Sequence, residues 1–313
     1  MSSTLLITGG SGFLGQACAR QFRAAGWRVL GLGHGQWSDA QARSAGFDRW
    51  ITGSVSAATL DQLDEPLDVV AHCASNGSVP YSLEQPLDAY ERTVSSTAVL
   101  LDHLRRHAPQ ALVLYPSSAA VYGAAPDLPL KESASPNPVS PYGFHKQMVE
   151  LLLAAHAHTF GQRAIAIRFF SIYGPGLRKQ LLWDASARLL SGLPSQTFWG
   201  TGDETRDWLH VDDAARLMLH LAGRPAQEAL PFDILNGAGG ERITVRDVLS
   251  RLAVALGCEV DIGFNGAIRA GDPRFYHADI TRLRATGWAP TVRLDDGLAA
   301  YGRWVRDAVP RAS

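Results

Sequence analysis

The sequence predicts an α/β protein, a doubly wound parallel sheet with a smaller C-terminal lobe, and three observations predict it. Short apolar runs alternate with amphipathic segments from the first residues onward, the pattern that parallel strands and crossover helices produce. A glycine-rich turn joins the first apolar run to the first amphipathic segment. Past residue 170 the rhythm loosens and charged residues collect in turns.

In chain order, Thr4–Thr8 reads as a strand, Phe13 to about Ala25 as a helix, and Arg28–Leu32 as the second strand. Val69–Cys73 and Leu112–Tyr115 are further buried strands, separated by a helix near Asp88–His107. The proline-rich stretch Pro126–Pro141 is short enough to be one loop. Pro141–Thr159 then reads as a helix and Ala164–Phe170 as another strand. From Ser171 the lobe begins, with turns such as Gly200–Asp203, and Val211–Leu221 and Phe232–Asn236 are expected to return to the first domain. Asp279, just ahead of an apolar-periodic stretch, is expected to cap a helix.

The chain has 313 residues, a formal net charge of -1 and a pI near 6.8. Neither a nucleic acid nor an anionic membrane is an expected partner, since both favour a basic field, so any anion must be held locally. Cys18, Cys73 and Cys258 lie apart without metal-ligand spacing, and neither a disulfide nor a metal site is expected. No basic segment precedes the apolar Leu5–Ile7, and no run of about 18 apolar residues occurs, so a cytoplasmic protein is expected.

The glycine turn runs Thr8-Gly9-Gly10-Ser11-Gly12-Phe13-Leu14-Gly15. Between a strand and a helix, Gly9 permits the tight turn, Gly12 lets a pyrophosphate approach the backbone, and Gly15 lets the helix lie close on the sheet. Residues 1–170 therefore read as a Rossmann-type dinucleotide-binding domain, with return segments near 203–236, and residues 171–313 mainly as a substrate-binding lobe. An acidic residue ending the second strand would select NAD through the ribose, but Val29 to Gly35 contains none. Gly33 and His34 stand there instead. A 2′-phosphate would meet no repulsion, and His34 or Arg43 could hold it, so NADP is favoured over NAD.

The strand Leu112–Tyr115 leads into Pro116-Ser117-Ser118-Ala119-Ala120-Val121-Tyr122-Gly123, and Pro141-Tyr142-Gly143-Phe144-His145-Lys146 opens the next helix. Tyr142 and Lys146 are one helical turn apart and share a face. An ammonium beside a phenol favours the phenolate, so the pair can exchange a proton with a substrate hydroxyl. Ser118 could hydrogen-bond the same oxygen.

Joined in this order, these motifs resemble the extended short-chain dehydrogenase/reductase family, also called the epimerase/dehydratase family, over nearly the whole chain. Further family-like stretches are Val70 to Ser75, Arg168 to Gly176, Arg206 to Asp213 and Arg269 to Pro273. The resemblance implies that Tyr142 is the acid/base, that Lys146 lowers its pKa and holds the nicotinamide ribose, and that Ser118, rather than Ser117, orients the substrate oxygen. It places Ser54, Val55, Cys73, Ala74, Ser75 and Thr93 along the dinucleotide. It also implies a nucleotide-sugar substrate: Arg206 and Arg269 match diphosphate contacts, Tyr276 a position bounding the sugar, and Ser171 and Asp272 belong to the same substrate-contacting stretches.

Departures from the family pattern narrow the chemistry. Ala119 and Ala120 follow Ser118, where dehydrating and decarboxylating members carry an acid. Ser171, Ser54 and Thr93 replace the usual Asn, Asp and Asn. The resemblance thus implies hydride transfer at carbon 4 of a nucleotide-linked hexose, leaning to a 4-keto reductase because Gly33 replaces the ribose carboxylate; a 4-epimerase is the alternative. A dinucleotide sensor without chemistry is a third reading, which the intact Ser118, Tyr142 and Lys146 argue against. A homodimer paired through the helices near Asp88–His107 and Pro141–Thr159 is expected, with Val99, Leu100, Met148, Leu151 and Leu152 as apolar positions.

Overall fold

A computed structural model describes residues 2–123, 129–225, 230–267 and 274–308. Two compact units divide the chain: Met1–Gly123, Glu132–Phe169 and Ala214–Asn236 make the first, and Ala124–Lys131, Phe170–Asp213 and Gly237–Ser313 the second.

The alternation read from the sequence becomes β1 (Thr4–Thr8), α1 (Phe13–Ala24), β2 (Arg28–Gly33), α2 (Asp39–Ala45), β3 (Arg49–Thr52), α3 (Ala57–Leu60) and β4 (Val69–His72). There follow α4 (Val79–Glu84), α5 (Pro86–Tyr90), a π-helical turn at Glu91–Ser95, α6 (Ser96–His107), β5 (Leu112–Ser118), α7 (Pro141–Phe160) and β6 (Ala164–Phe169). The second half contributes β7 (Ser171–Tyr173), α8 (Gln180–Leu189), β8 (Ser195–Phe198), β9 (Thr205–Arg206), β10 (Trp208–His210) and α9 (Val211–Ala222). It ends with β11 (Phe232–Gly237), β12 (Ile243–Thr244), α10 (Val245–Leu256), β13 (Asp261–Phe264), α11 (Thr281–Ala285) and α12 (Leu294–Ala308).

One sheet takes the order β3-β2-β1-β4-β5-β6-β11, with β1 through β6 paired parallel. The order reverses between β1 and β4, and such a switch point opens a crevice at the carboxyl ends of the two strands. Side chains alternate across the sheet. Leu6, Leu30, Val70, Val113 and Ala166 pack with Leu100 and Leu104 of α6 and Val149 and Leu153 of α7. Cys18 of α1 meets Met218 of α9 at 3.5 Å.

Several boundaries differ from the sequence reading for local reasons. The strand expected at Leu112–Tyr115 continues to Ser118, because β6 pairs with it as far as Ser118↔Phe169. The helix expected at Asp88–His107 is interrupted by the π-helical turn, which carries Thr93. Asp279 is not the N-cap of α11, which is Ile280, although its carboxylate accepts the Thr281 N–H at 2.8 Å. Part of the loop expected at Pro126–Pro141 lies outside the described residues.

The second unit contains three short strand pairs, β7–β10, β9–β12 and β8–β13. Its polar interior centres on Asp207, fully buried, whose carboxylate accepts the N–H groups of Gly239 at 2.8 Å, Gly240 at 2.9 Å and Ala278 at 3.2 Å. The turn expected at Gly200–Asp203 is present, held by Glu204, which accepts the N–H groups of Thr201 and Gly202, both at 2.9 Å.

Candidate active site

The glycine turn forms a cradle at the switch point. Gly9 has φ +65°, and a Cβ there would lie 2.7 Å from Ala74 N, so both backbone hand and the approach of the β4 loop demand glycine. A Cβ on Gly15 would stand 2.6 Å from Gly9 O, and only glycine lets α1 lie this close to the turn. Gly12 caps α1 in extended conformation, with no side-chain cap and no acidic residue in the first turn. The first amides of α1, from Phe13 and Leu14, are therefore left for an anion, and the helix dipole favours one. These features fit a dinucleotide pyrophosphate.

Along the rim, β2 ends at Gly33, where a Cβ would sit 3.0 Å from the Trp50 ring and 3.3 Å from Ser11 Oγ. Trp50 stacks on Trp37 at 4.5 Å between centroids and donates its indole N–H to Gly35 O at 2.6 Å. This aromatic cover was not read from the sequence, where Trp37 and Trp50 flank separate elements. His34 is exposed. Ser54 is exposed too, with its carbonyl bound by the Thr59 hydroxyl at 2.5 Å, while Val55 packs on the core.

The catalytic candidates converge on the loop that follows β4. Lys146, buried in α7, donates to Pro116 O at 2.7 Å and to Ser75 Oγ at 3.1 Å. Since Ser75 adjoins the Ala74 backbone that touches Gly9, this bond ties α7 to the cradle. The ammonium lies 5.8 Å from the centroid of the Tyr142 ring, on the same helix face. Tyr142 itself is held at the start of α7, where Ser140 caps the helix and the Ser82 hydroxyl accepts the Tyr142 N–H at 3.1 Å.

Burial holds the Tyr142 phenol above its ordinary pKa, and a hydrogen bond with Ser118 pulls the other way. Desolvation dominates for the phenol, and the Lys146 ammonium on the same helix face also donates to Pro116 O and Ser75 Oγ. Ser118 stands at the end of β5, its Oγ also accepting the Ala120 N–H at 3.1 Å. Ser117 faces the other way and donates to Glu150 Oε1 at 2.6 Å. Strand alternation thus separates the two serines and leaves Ser118 beside Tyr142.

Two buried networks support these groups, and sequence reasoning missed both. Arg168 grips Glu150 with two bonds, Nε to Oε1 at 3.0 Å and Nη2 to Oε2 at 2.7 Å, directly beneath Ser117. The same guanidinium lies 4.6 Å from the Tyr122 ring centroid, and Tyr122 donates to Asn236 Oδ1 at 2.7 Å. Glu150 stands one helical turn after Lys146, and that buried-face spacing was the available signal. Under the cradle, His72 bonds Thr8 Oγ1 at 2.7 Å and Thr97 Oγ1 at 2.9 Å. Thr97 spends its proton on Thr93 O, so His72 Nε2 donates to Thr97 and Nδ1 accepts from Thr8. Burial, reinforced by the Lys146 charge, lowers the imidazole pKa to about 3.

Thr93 uses its hydroxyl to accept the Asn76 N–H at 3.1 Å, which orders the loop carrying Cys73, Ala74 and Ser75. The neighbouring Cys73 thiol, with burial, holds Cys18 well above the usual thiol range.

In the second unit, Ser171 donates its N–H to Asp207 O at 2.9 Å. The Arg206 guanidinium lies 5.8 Å from the Tyr276 ring centroid and donates to Thr205 O at 2.9 Å. Asp207 points inward to Gly239 and Gly240, which removes the surface ion pair that Arg206 would otherwise make with its sequence neighbour. Arg269 and Asp272 lie outside the described residues.

Residues 5–235 match the model of the NAD dependent epimerase/dehydratase family. The chain is 30% identical to the UDP-glucose 4-epimerase of Azospirillum brasilense, over 97% of this chain and 92% of that one. It is 27% identical to UDP-glucuronate 4-epimerase 1 of Arabidopsis thaliana, over 96% of this chain and 76% of the relative. The UDP-glucuronic acid 4-epimerase from Bacillus cereus, solved in complex with UDP-glucuronic acid and NAD, is 25% identical with a TM-score of 0.86, covering 98% of this chain and 100% of that one.

Proposed function

Because this chain belongs to the NAD dependent epimerase/dehydratase family, we propose that it inverts carbon 4 of a UDP-linked hexose or hexuronate, with NAD as resident cofactor. The carrying observation is the convergence of Ser118, Tyr142 and Lys146 beside the glycine cradle, with Ala119 and Ala120 where a further acid would stand. The names of the relatives and the NAD of the Bacillus cereus structure favour this outcome over a one-way 4-keto reduction.

NAD would be held by the amides of Phe13 and Leu14, by Gly9, Gly12 and Gly15, by Gly33 and His34 at the adenosine ribose, by Ser54, Val55, Cys73, Ala74, Ser75 and Thr93 along its length, and by Tyr142 and Lys146 at the nicotinamide ribose. When bound, it supplies the hydride acceptor and donor for carbon 4.

Tyr142 takes the proton from the 4-hydroxyl as the ketone forms and returns it to O4 when either epimer is restored. Ser118 holds the same oxygen and passes it to the phenol in hydrogen-bond range. Lys146 opposes the burial of the phenol: a fixed ammonium on the same face stabilises the phenolate when it forms. Arg206 takes the diphosphate of the substrate, with Arg269 as a second cation, Tyr276 bounds the sugar, and Ser171 and Asp272 complete its polar contacts. A second copy of the chain covers the exposed apolar stripe of α6 and α7.

A reductase drawing on NADPH stays as the second reading on one observation, the absence of a carboxylate at Gly33. Incubating the protein with UDP-glucose and with UDP-glucuronate, and following the stereochemistry at carbon 4, tests the epimerase. Failure to invert either sugar, with NADPH-dependent reduction of a 4-keto sugar instead, would establish the reductase.

A further inference from the structure

Away from the cradle, the C-terminal end of α3 meets α6 at a cluster of three potential ligands. His103 and His107 stand one turn apart on α6, Asp61 follows α3, and one donor atom from each lies within 4.8 Å of the others. His103 is 5% exposed, and its Nδ1 has no hydrogen-bond partner among the described residues. Asp61 Oδ1, at 3.6 Å, is too far to be one. A buried ring nitrogen left in this way costs stability unless a ligand satisfies it. Asp61 and His107 are exposed, so the cluster is open to solvent on one side while His103 forms its floor.

We infer that Asp61, His103 and His107 bind a divalent transition-metal ion of the zinc class, with water completing the coordination. Two imidazoles and a carboxylate are a borderline donor set, suited to zinc, nickel or cobalt and poor for magnesium or calcium, which take oxygen ligands. Histidines at i and i+4 put both rings on one helix face, and here the centroids are 4.5 Å apart. Metal bonds of about 2.0–2.2 Å require the donor atoms to close to roughly 3.3 Å, a movement that rotation of the exposed Asp61 and His107 side chains supplies. The neighbouring Arg106 is paired with Asp102 at 2.7 Å, which offsets its repulsion of a cation. Only the folded chain brings Asp61 to α6, so occupancy stabilises the fold by cross-linking α3 to that helix.

Zinc chloride alone is the probe, titrated calorimetrically into untagged, chelator-stripped protein and followed in parallel by thermal melting. Saturable binding of one ion per chain with a rise in Tm is expected. His107→Ala and Asp61→Asn should each weaken zinc binding at least about tenfold and remove the rise, while leaving the metal-free Tm and dinucleotide affinity unchanged. Substituting cobalt(II) should give the absorption bands of a tetrahedral site, lost in His107→Ala. No saturable zinc binding, or binding and a Tm shift that persist undiminished in His107→Ala and so point to the cysteines, would overturn the assignment.

Discussion

Tyr142→Phe deletes the transferable proton and little else, since the ring keeps its place under Ser140 and Ser82. Turnover should fall by about 10²-fold or more with dinucleotide affinity nearly unchanged, as read by steady-state rates and calorimetry. Lys146→Met should move the alkaline-rising limb of the kcat profile to higher pH, because the buried phenol would lose the ammonium and keep only its Ser118 hydrogen bond against desolvation. His72 carries a different pH signature. Its folded pKa of about 3 lies below the ordinary imidazole value of about 6.5, so the unfolded chain binds the proton first as pH falls. Stability from this group is complete above the unfolded pKa and is lost as pH falls toward the folded one. Urea midpoints at pH 7 and pH 5 should therefore differ less in His72→Gln than in the parent. At this scale the sequence reveals what is local. Tyr142 and Lys146 share a helical turn and could be paired by spacing, whereas His72 finds Thr8 across 64 positions and Glu150 finds Arg168 across 18. Nothing in the spacing says that Ser117 rather than Ser118 would be spent on Glu150.

Elements place these residues, and each supporting contact predicts a loss. Gly15→Val would drive a side chain into Gly9 O and force α1 off the turn, so NAD affinity should drop by at least about tenfold in a titration. Glu150→Gln breaks a buried, bidentate pair beneath β5 and should cost about 3–5 kcal/mol in chemical denaturation. The helices expected to pair two copies divide on inspection. Leu100 is fully buried in its own core and Leu152 packs against it, while Val99, Met148 and Leu151 are exposed together with Phe144. Leu151→Glu should then yield a folded monomer in sedimentation, and Leu100→Ala should instead unfold the protein more easily, by about 2–5 kcal/mol. A parent chain that sediments as a monomer would exclude this pairing. Elements with a clear period, such as β1, α1 and β4, were legible from apolar alternation. Arg49–Thr52 was not, because four residues opening on a charge at a sheet edge carry too little pattern.

For the whole molecule, the order β3-β2-β1-β4-β5-β6 puts the glycine cradle at the switch point, and with a near-neutral charge the proposed function asks the α1 amides and local arginines to hold its anions. The fold class was legible because the glycine turn, the Ser118 loop and the Tyr142 helix occur in the order the sheet needs them. Cofactor choice was not, since Gly33 shows only that a carboxylate is missing, and the Trp37–Trp50 cover arises from residues on separate elements. Epimerisation and reduction share every residue assigned so far and differ in the fate of the cofactor. The most direct measurement is turnover of UDP-glucose and UDP-glucuronate by the purified chain with no nicotinamide added, with bound dinucleotide assayed before and after. Inversion at carbon 4 by protein that holds NAD throughout, with no net change in nicotinamide absorbance, is the predicted result. Protein that purifies empty, leaves both sugars unchanged and consumes NADPH stoichiometrically with a 4-keto sugar would contradict it.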